Sequence, residues 1–195
     1  FGENVRASGT GSVALGSRAS AAADGSFAFG DRSSQTLFTV SQPNQFKVRA
    51  AGGVEFFSNP EANIGVRLVA GGVQWTSLSD VNAKHRFRDL DGEDVLTKFA
   101  AMPVREWSYK AQDATIRHIG PTAQDFHAAF GLGEEALRIG TLDADGVALA
   151  GVKAVEARTR RLSERLAALE TENAGLQAEL EGVRERLARL ERALG

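Results

Sequence analysis

Ser79-Asp80-Val81-Asn82-Ala83-Lys84 sets a hydroxyl and an amine five residues apart, a pairing that can do covalent chemistry. A serine hydroxyl attacks an amide only once it gives up its proton, and a lysine takes that proton only in its neutral form. Because a free lysine titrates at roughly 10.4, burial or a neighbouring cation must lower that value before it can serve as a base. His85, Arg86 and Arg88 add local positive charge, although solvated surface charge is the better account of them. A bare serine-to-lysine spacing is common in any protein and marks no catalyst by itself. Other candidates weigh less. His118 and Asp125 could pair for general-base work, but a histidine just ahead of Ile119-Gly120-Pro121 reads more simply as a core or turn hydrogen bonder. Asp143 and Asp145 before Gly146 echo a calcium loop whose later ligands are missing, and helix capping explains them better. Gly131-Leu132-Gly133 with Ala136 lacks the preceding strand and βαβ unit of a dinucleotide loop. No cofactor is expected.

What could position such a pair is read from the distribution of residue types along the chain. Seven of the eleven Phe and one of the two Trp precede Ser79, whereas no aromatic residue follows Phe130. An aromatic core is therefore available to the first part and denied to the tail. Residues 1–78 carry six Lys/Arg against five Asp/Glu, and residues 79–195 carry seventeen against twenty. Neither balance suggests a nucleic-acid partner or a membrane surface. Cysteine is absent, which excludes disulfides and thiolate metal sites and leaves the redox compartment open. No apolar run approaches the roughly 20 residues of a membrane span. The chain starts at Phe1 and reads as part of something longer.

Gly11-Ser12-Val13-Ala14-Leu15-Gly16 returns fourteen residues later as Gly25-Ser26-Phe27-Ala28-Phe29-Gly30, with Arg18/Arg32 and Ser20/Ser34 in step. Repetition at a fixed period means stacked units, and the alternation within each copy suits a short strand and a tight turn. Such a unit cannot bury its face alone and must stack on its neighbour or on other chains. Over about residues 8–34 the pattern resembles the head repeats of trimeric autotransporter adhesins, which implies a left-handed β-roll. A looser repeat follows, in which Val48-Arg49-Ala50-Ala51-Gly52-Gly53-Val54-Glu55-Phe56 is echoed by Val66-Arg67-Leu68-Val69-Ala70-Gly71-Gly72-Val73-Gln74-Trp75. Two strands joined at a Gly-Gly turn is the simplest reading of each copy. The alternative of a monomeric β-meander is disfavoured, since so much Gly, Ala and Ser offers little side-chain volume for a private core.

Residues 79–146 read as a small α+β unit. Val95, Leu96, Phe99 and Met102 share a helical face that Asp91 can cap and Pro103 ends. Trp107 and Tyr109 share one side of a short strand, Ile116 to Ile119 suggests another, and Pro121 opens a helix carrying Phe126 and Phe130 that Gly131 stops. At roughly 65 residues this unit is near the limit of independent stability and should lean on copies of itself. Residues 147–195 are a heptad helix. Val152, Thr159, Leu166, Asn173, Leu180, Leu187 and Leu194 stand at a, and Val155, Leu162, Leu169, Leu176, Val183 and Leu190 at d. The oppositely charged pairs Arg165/Glu170, Glu179/Arg184 and Arg186/Glu191 favour a parallel coiled coil, with Asn173 fixing register. These layers do not separate dimer from trimer.

The order of segments from Ser79 onward is the most specific feature of the chain. It runs from Pro103-Val104-Arg105-Glu106-Trp107-Ser108-Tyr109-Lys110 through Arg117-His118-Ile119-Gly120-Pro121-Thr122-Ala123-Gln124-Asp125-Phe126 to Asp145-Gly146-Val147-Ala148-Leu149-Ala150 and the heptads. Over about 79–195 it closely resembles the self-cleaving intramolecular chaperone domains of phage tail fibres and endosialidases. The resemblance implies a serine–lysine autoprotease that trimerises and folds its fibre and then cuts just before the serine. Ser79 would be the nucleophile, Lys84 the base and Leu78–Ser79 the scissile bond, with Asp80, His118 and Gln124 as candidates for support. The usual pattern has an arginine between the aspartate and the lysine, where Val81 and Asn82 stand here. The expected architecture is a mixed, parallel homotrimer with a β-roll or β-helical stalk over 1–78, an α+β chaperone head over 79–146 and a coiled coil over 147–195. The expected place is a virion tail fibre or a cell surface, with a host-cell receptor met by an upstream part of the fibre, no nucleic acid and no membrane insertion. Two other readings are a structural adhesin or tail-fibre tip without cleavage, and a zipper-assembled scaffold with unrelated β domains.

Overall fold

The fourteen-residue repeat becomes a parallel ladder in the computed structural model, which describes residues 1–194 and divides into two units, Phe1–Phe87 and Arg88–Gly195. In the first unit seven short strands alternate between two sheets. Strands β1 (Gly2–Glu3), β3 (Val13–Ser17), β5 (Phe27–Gly30) and β7 (Phe46–Arg49) stack in one, and β2 (Arg6–Ala7), β4 (Ala19–Ala21) and β6 (Phe38–Val40) in the other. Val13 faces Phe27, Ala14 faces Ala28 and Gly16 faces Gly30, so each residue lies over the one fourteen positions on. Ser12 and Ser26 repeat the same turn, their hydroxyls donating to the carbonyls of Gly9 and Ala23 at 2.7 and 2.6 Å.

Small residues fill the space between the sheets. Ala14, Ala19, Ala21, Ala28 and Val40 form the buried cluster, and the larger Val13 and Phe46 of the same ladder are exposed. Narrow side chains let the two sheets approach, and they leave the bulky half of each strand outside, where Phe27 and Phe46 stack at 4.7 Å. Glycine is required where circuits touch most closely. Gly16 has a φ of 91°, and a Cβ on it would lie 2.1 Å from the carbonyl oxygen of Gly30.

The roll extends past the two copies visible in the sequence. Phe27 pairs with Phe46 and Ala19 with Phe38, nineteen residues on instead of fourteen, so the last circuit carries five extra residues before β6. Asp31 and Arg49 hold that insertion. Arg49 pairs with Asp31 at 3.2 Å, donates to the carbonyls of Thr36, Asp31 and Ser17, and lies 5.3 Å from the Phe38 ring centroid. Hydrogen bonds from the Ser33 hydroxyl and the Ala51 N–H, aided by Arg49, hold the Asp31 carboxyl down from 3.8 to about 2 against the opposing effect of burial. A depressed carboxylate contributes stability that is complete above its ordinary pKa and is lost as pH falls through the folded value. Stability of the intact chain should therefore drop between pH 3.8 and about 2 in a way that Asp31→Asn does not share. Thermal unfolding followed by β-sheet circular dichroism across that range checks it; parallel pH profiles for the two proteins would refute the role of Asp31.

A three-stranded antiparallel sheet follows, in the order β10 (Thr76–Ser77), β9 (Gly65–Val69), β8 (Gly53–Phe57). The expected hairpin within the first of the two looser repeats is not formed. Strand β7 pairs in parallel with β5 of the roll, and β8 pairs instead with β9, Gly53 opposite Val69 and Phe57 opposite Gly65. A parallel partner already in register in the roll takes β7, so the chain turning near Gly52 leads into a new sheet. The second copy does fold back, β9 pairing with β10 across Gly71-Gly72.

The second unit holds helix α1 (Gly92–Ala101), the antiparallel pair β11 (Arg105–Trp107) and β12 (His118–Gly120), helix α2 (Ala123–Phe130) and helix α3 (Thr141–Leu194). Asp91 caps α1 by accepting from the N–H groups of Glu93 and Asp94, and Gly131, at φ 64°, ends α2 in the left-handed conformation. Met102, Phe126 and Val147 form its buried centre, with Phe99 edge-on to Phe130 at 5.4 Å. Helix α1 lies on the start of α3. Gly151 leaves room for Phe99, whose Cε2 would be 2.6 Å from an added Cβ, and Glu93 accepts from both Arg158 and Arg161. Asp143 and Asp145 do not cap α3, because Asp143 is in its first turn and Asp145 lies further in. Farther along, the apolar heptad residues from Val152 to Leu190 are 42–69% exposed in the single chain. Among the described residues, Arg161 is the last of this 54-residue helix to form an ion pair with another element, and an apolar stripe that continues past it needs a partner helix for support.

Candidate functional site

Ser79 and Lys84 are brought together within one chain. Strand β10 ends at Ser77, and Leu78, Ser79 and the extended Asp80 are coil leading into a single 3-10 turn, Val81–Ala83. Asp80 starts the turn, its carboxylate accepting from the backbone N–H of Asn82 at 2.8 Å and from the Asn82 side-chain amide at 3.0 Å. An aspartate at an N-cap satisfies a donor that the first turn leaves unpaired, which is why this short segment curls. The turn closes with Ala83 N–H on Asp80 O and Lys84 N–H on Val81 O, both at 3.2 Å. Its result is that Lys84 comes back toward the start, and Nζ donates to Ser79 Oγ at 2.7 Å. Without the turn, an extended run of five residues would span roughly 16 Å.

Both ends of the segment are held. Upstream, β10 is on the β9 ladder, and the Thr76 hydroxyl donates to the carbonyl of Arg67 at 3.0 Å. Downstream stands the Asp80 cap. The Leu78–Ser79 peptide lies between the two anchors, with Leu78, Ser79 and Lys84 all exposed to solvent. At 2.7 Å the amine is within proton-transfer reach of the hydroxyl, and what the single chain lacks is a desolvating wall around it. Arg86 adopts a φ of 57°, unusual for a side chain of its size, in the exposed coil that follows.

The other candidates belong to the second unit. His118 stacks on Trp107 at 4.8 Å, meets Tyr109 at 5.4 Å, and shares a 2.9 Å hydrogen bond through Nε2 with the Gln112 side chain. It is not paired with Asp125, which accepts from the Thr122 hydroxyl at 2.8 Å and lies 3.6 Å from Arg105. His118 is thus a half-buried strand residue, held by a ring stack and a side-chain hydrogen bond. Gln124 is exposed on α2, lining with Trp107, Tyr109, Leu137 and Arg138 an open cavity of about 650 Å³. Tyr109 packs against Trp107 although the strand ends before it. Asp80 as an N-cap was within reach of sequence reasoning, since Asp with a small polar residue two positions on is a turn signal. Asn82 as its second donor was not anticipated.

Comparison with known families agrees with both resemblances. Residues 79–135 match a peptidase family described as the chaperone of endosialidase, starting at the serine itself. Residues 7–33 match two copies of the YadA head domain repeat. No curated protein matches the chain. The matches support an intramolecular chaperone joined to an adhesin-like fibre segment, a surface or extracellular setting and a fibre-type assembly. Among the described residues no helix is long and apolar enough to cross a membrane.

Proposed function

We propose that residues from Ser79 onward are the intramolecular chaperone of a trimeric fibre, which they assemble and fold before removing themselves by cutting Leu78–Ser79. Ser79 is the nucleophile and Lys84 the base, in a serine endopeptidase that turns over once, on its own chain. The observation that carries this reading is the 2.7 Å hydrogen bond from Lys84 Nζ to Ser79 Oγ beside an exposed peptide, at the first residue of the family match. Three domains serve it: a β stalk over 1–78, an α+β head over 79–146 and a parallel three-stranded coil over 147–195. The exposed apolar stripe of α3 and the exposed outer face of the roll support an assembly of several copies, and the two family likenesses support three. Asp80 supports the dyad by holding the turn, and His118 and Gln124 act in the head. The setting is a virion tail fibre or a cell surface, with any receptor bound through an upstream part of the fibre.

Another reading, a structural adhesin or fibre tip that does not cut itself, is favoured by the exposure of Lys84 and by Val81 and Asn82 standing where the family pattern has an arginine. The intact mass of the recombinant chain after folding decides between them. Self-cleavage gives two fragments that part at Leu78–Ser79; a single undiminished mass after prolonged incubation of the assembled protein would rule out cleavage and leave the structural reading.

A further inference from the structure

Resting on the cleavage reading above, we infer that the cut is an N-to-O acyl shift, in which the Leu78 acyl group passes from the Ser79 nitrogen to the Ser79 hydroxyl and is released from there by water. Chain connectivity leads to this step. A serine that cuts a distant peptide keeps the acyl group while the amine departs on another residue. Here one residue supplies both the attacking oxygen and the nitrogen that must leave. Attack of Ser79 Oγ on the Leu78 carbonyl carbon closes a five-membered ring of that carbon, the Ser79 nitrogen, Cα, Cβ and Oγ. The C–O bond forms, the C–N bond breaks, and the product is a Leu78 ester on Ser79 Oγ beside a free Ser79 amine. Water then attacks the ester carbon, its oxygen becoming part of the Leu78 carboxylate and a proton returning to Oγ. The sum is peptide hydrolysis with water as the sole co-reactant.

The surrounding residues suit both halves of the step. Lys84 Nζ, 2.7 Å from Oγ, takes the hydroxyl proton when neutral and can return it to the departing nitrogen of the same residue, so one amine serves both ends of the ring. The ladder contacts of Thr76 and Ser77 on one side, and the Asp80 grip on Asn82 on the other, restrain the flanks of the peptide that must pucker. Leu78 and Ser79 are exposed, which gives water access for the second half. Because the liberated amine stays next to the ester, the shift runs backward readily, and the slow event is the attack that removes the acyl group.

An outside nucleophile stronger than water therefore diverts the product. Freshly folded full-length protein is incubated at neutral pH with and without hydroxylamine, and the fragments are weighed. The expected result is an upstream fragment ending in a Leu78 hydroxamate instead of a carboxylate, formed faster than in water, beside a downstream fragment with a free Ser79 amine. Ser79→Cys should form the thioester instead and release its upstream fragment faster when a small thiol is added, whereas Ser79→Ala should stay whole in hydroxylamine. Cutting at Leu78–Ser79 that yields only carboxylate, at a rate hydroxylamine does not change, overturns the shift and leaves the cleavage reading standing. Equal hydroxylamine cutting of Ser79→Ala also overturns it. A wild-type chain that stays whole in both solutions removes the cleavage reading and the shift together.

Discussion

Ser79→Ala leaves the chain whole after any period of incubation, and Lys84→Ala slows cutting by about 10²–10⁴-fold, the range expected for loss of a positioned general base. Lys84→Arg is as slow as Lys84→Ala, because a guanidinium keeps its charge and cannot accept the hydroxyl proton. None of the three changes should disturb assembly. Both side chains are exposed, and Lys84 donates its hydrogen bond to Ser79, so no buried packing is lost. The measurement is the cleaved fraction against time by mass spectrometry, with the oligomeric state read by light scattering. Undiminished cutting in either alanine variant, or cutting at another bond, would remove the dyad.

Deleting residues 159–195 should have an effect nearly as large, through a different route. The deletion falls after Arg158, so it spares Val147, Gly151 and Ala154, where α1 and the buried centre meet α3, and takes only Arg161 from the two arginines that pair with Glu93. It also leaves Ser79, Asp80, Asn82 and Lys84 untouched. What it removes is most of the exposed apolar stripe, along roughly 55 Å of helix at about 1.5 Å per residue. If Lys84 becomes a base only when other copies shield it from water, the truncated chain fails to associate and stays uncut. Full-length and truncated proteins are compared at the same micromolar concentration for oligomeric state and cleaved fraction. Efficient cutting by a truncated chain shown to be monomeric would break the link between assembly and chemistry.

Much of the architecture was legible because it rests on local signals. The fourteen-residue spacing of Val13 and Phe27, or Gly16 and Gly30, translates directly into ladder partners, and Asp91 and Gly131 begin and end their helices as their side chains dictate. The heptad stripe survives as one helix. Less legible was anything set by a change of period. The place of β6 and β7 in the roll was hidden because five inserted residues shift the last circuit and because Phe38, Thr39 and Val40 stand over Ala19, Ser20 and Ala21, sharing little with them in size. The hairpin expected around Gly52-Gly53 failed for the same reason, since β7 already had a parallel partner. Alternation in the repeat was visible, but it did not say that alanine, and not phenylalanine, faces inward; that follows from how close the two sheets come. In the candidate site the residue types were readable, while the contact between them was not, because it depends on a single turn closed by Asp80 and Asn82.

The unequal last circuit has a consequence for how such a roll finds its place. Identical copies are degenerate: an alanine rung can settle on the wrong alanine rung with every backbone hydrogen bond made and every glycine in a permitted niche. A ladder built only of equal steps would have no landmark to distinguish a correct stack from one displaced by a whole circuit. The nineteen-residue step supplies that landmark, and Arg49, reaching Asp31, Thr36 and Ser17 at once, can do so in a single phase of the stack. Breaking that grip should therefore cost uniqueness before it costs structure, leaving a population of rolls that look folded yet are out of step with one another.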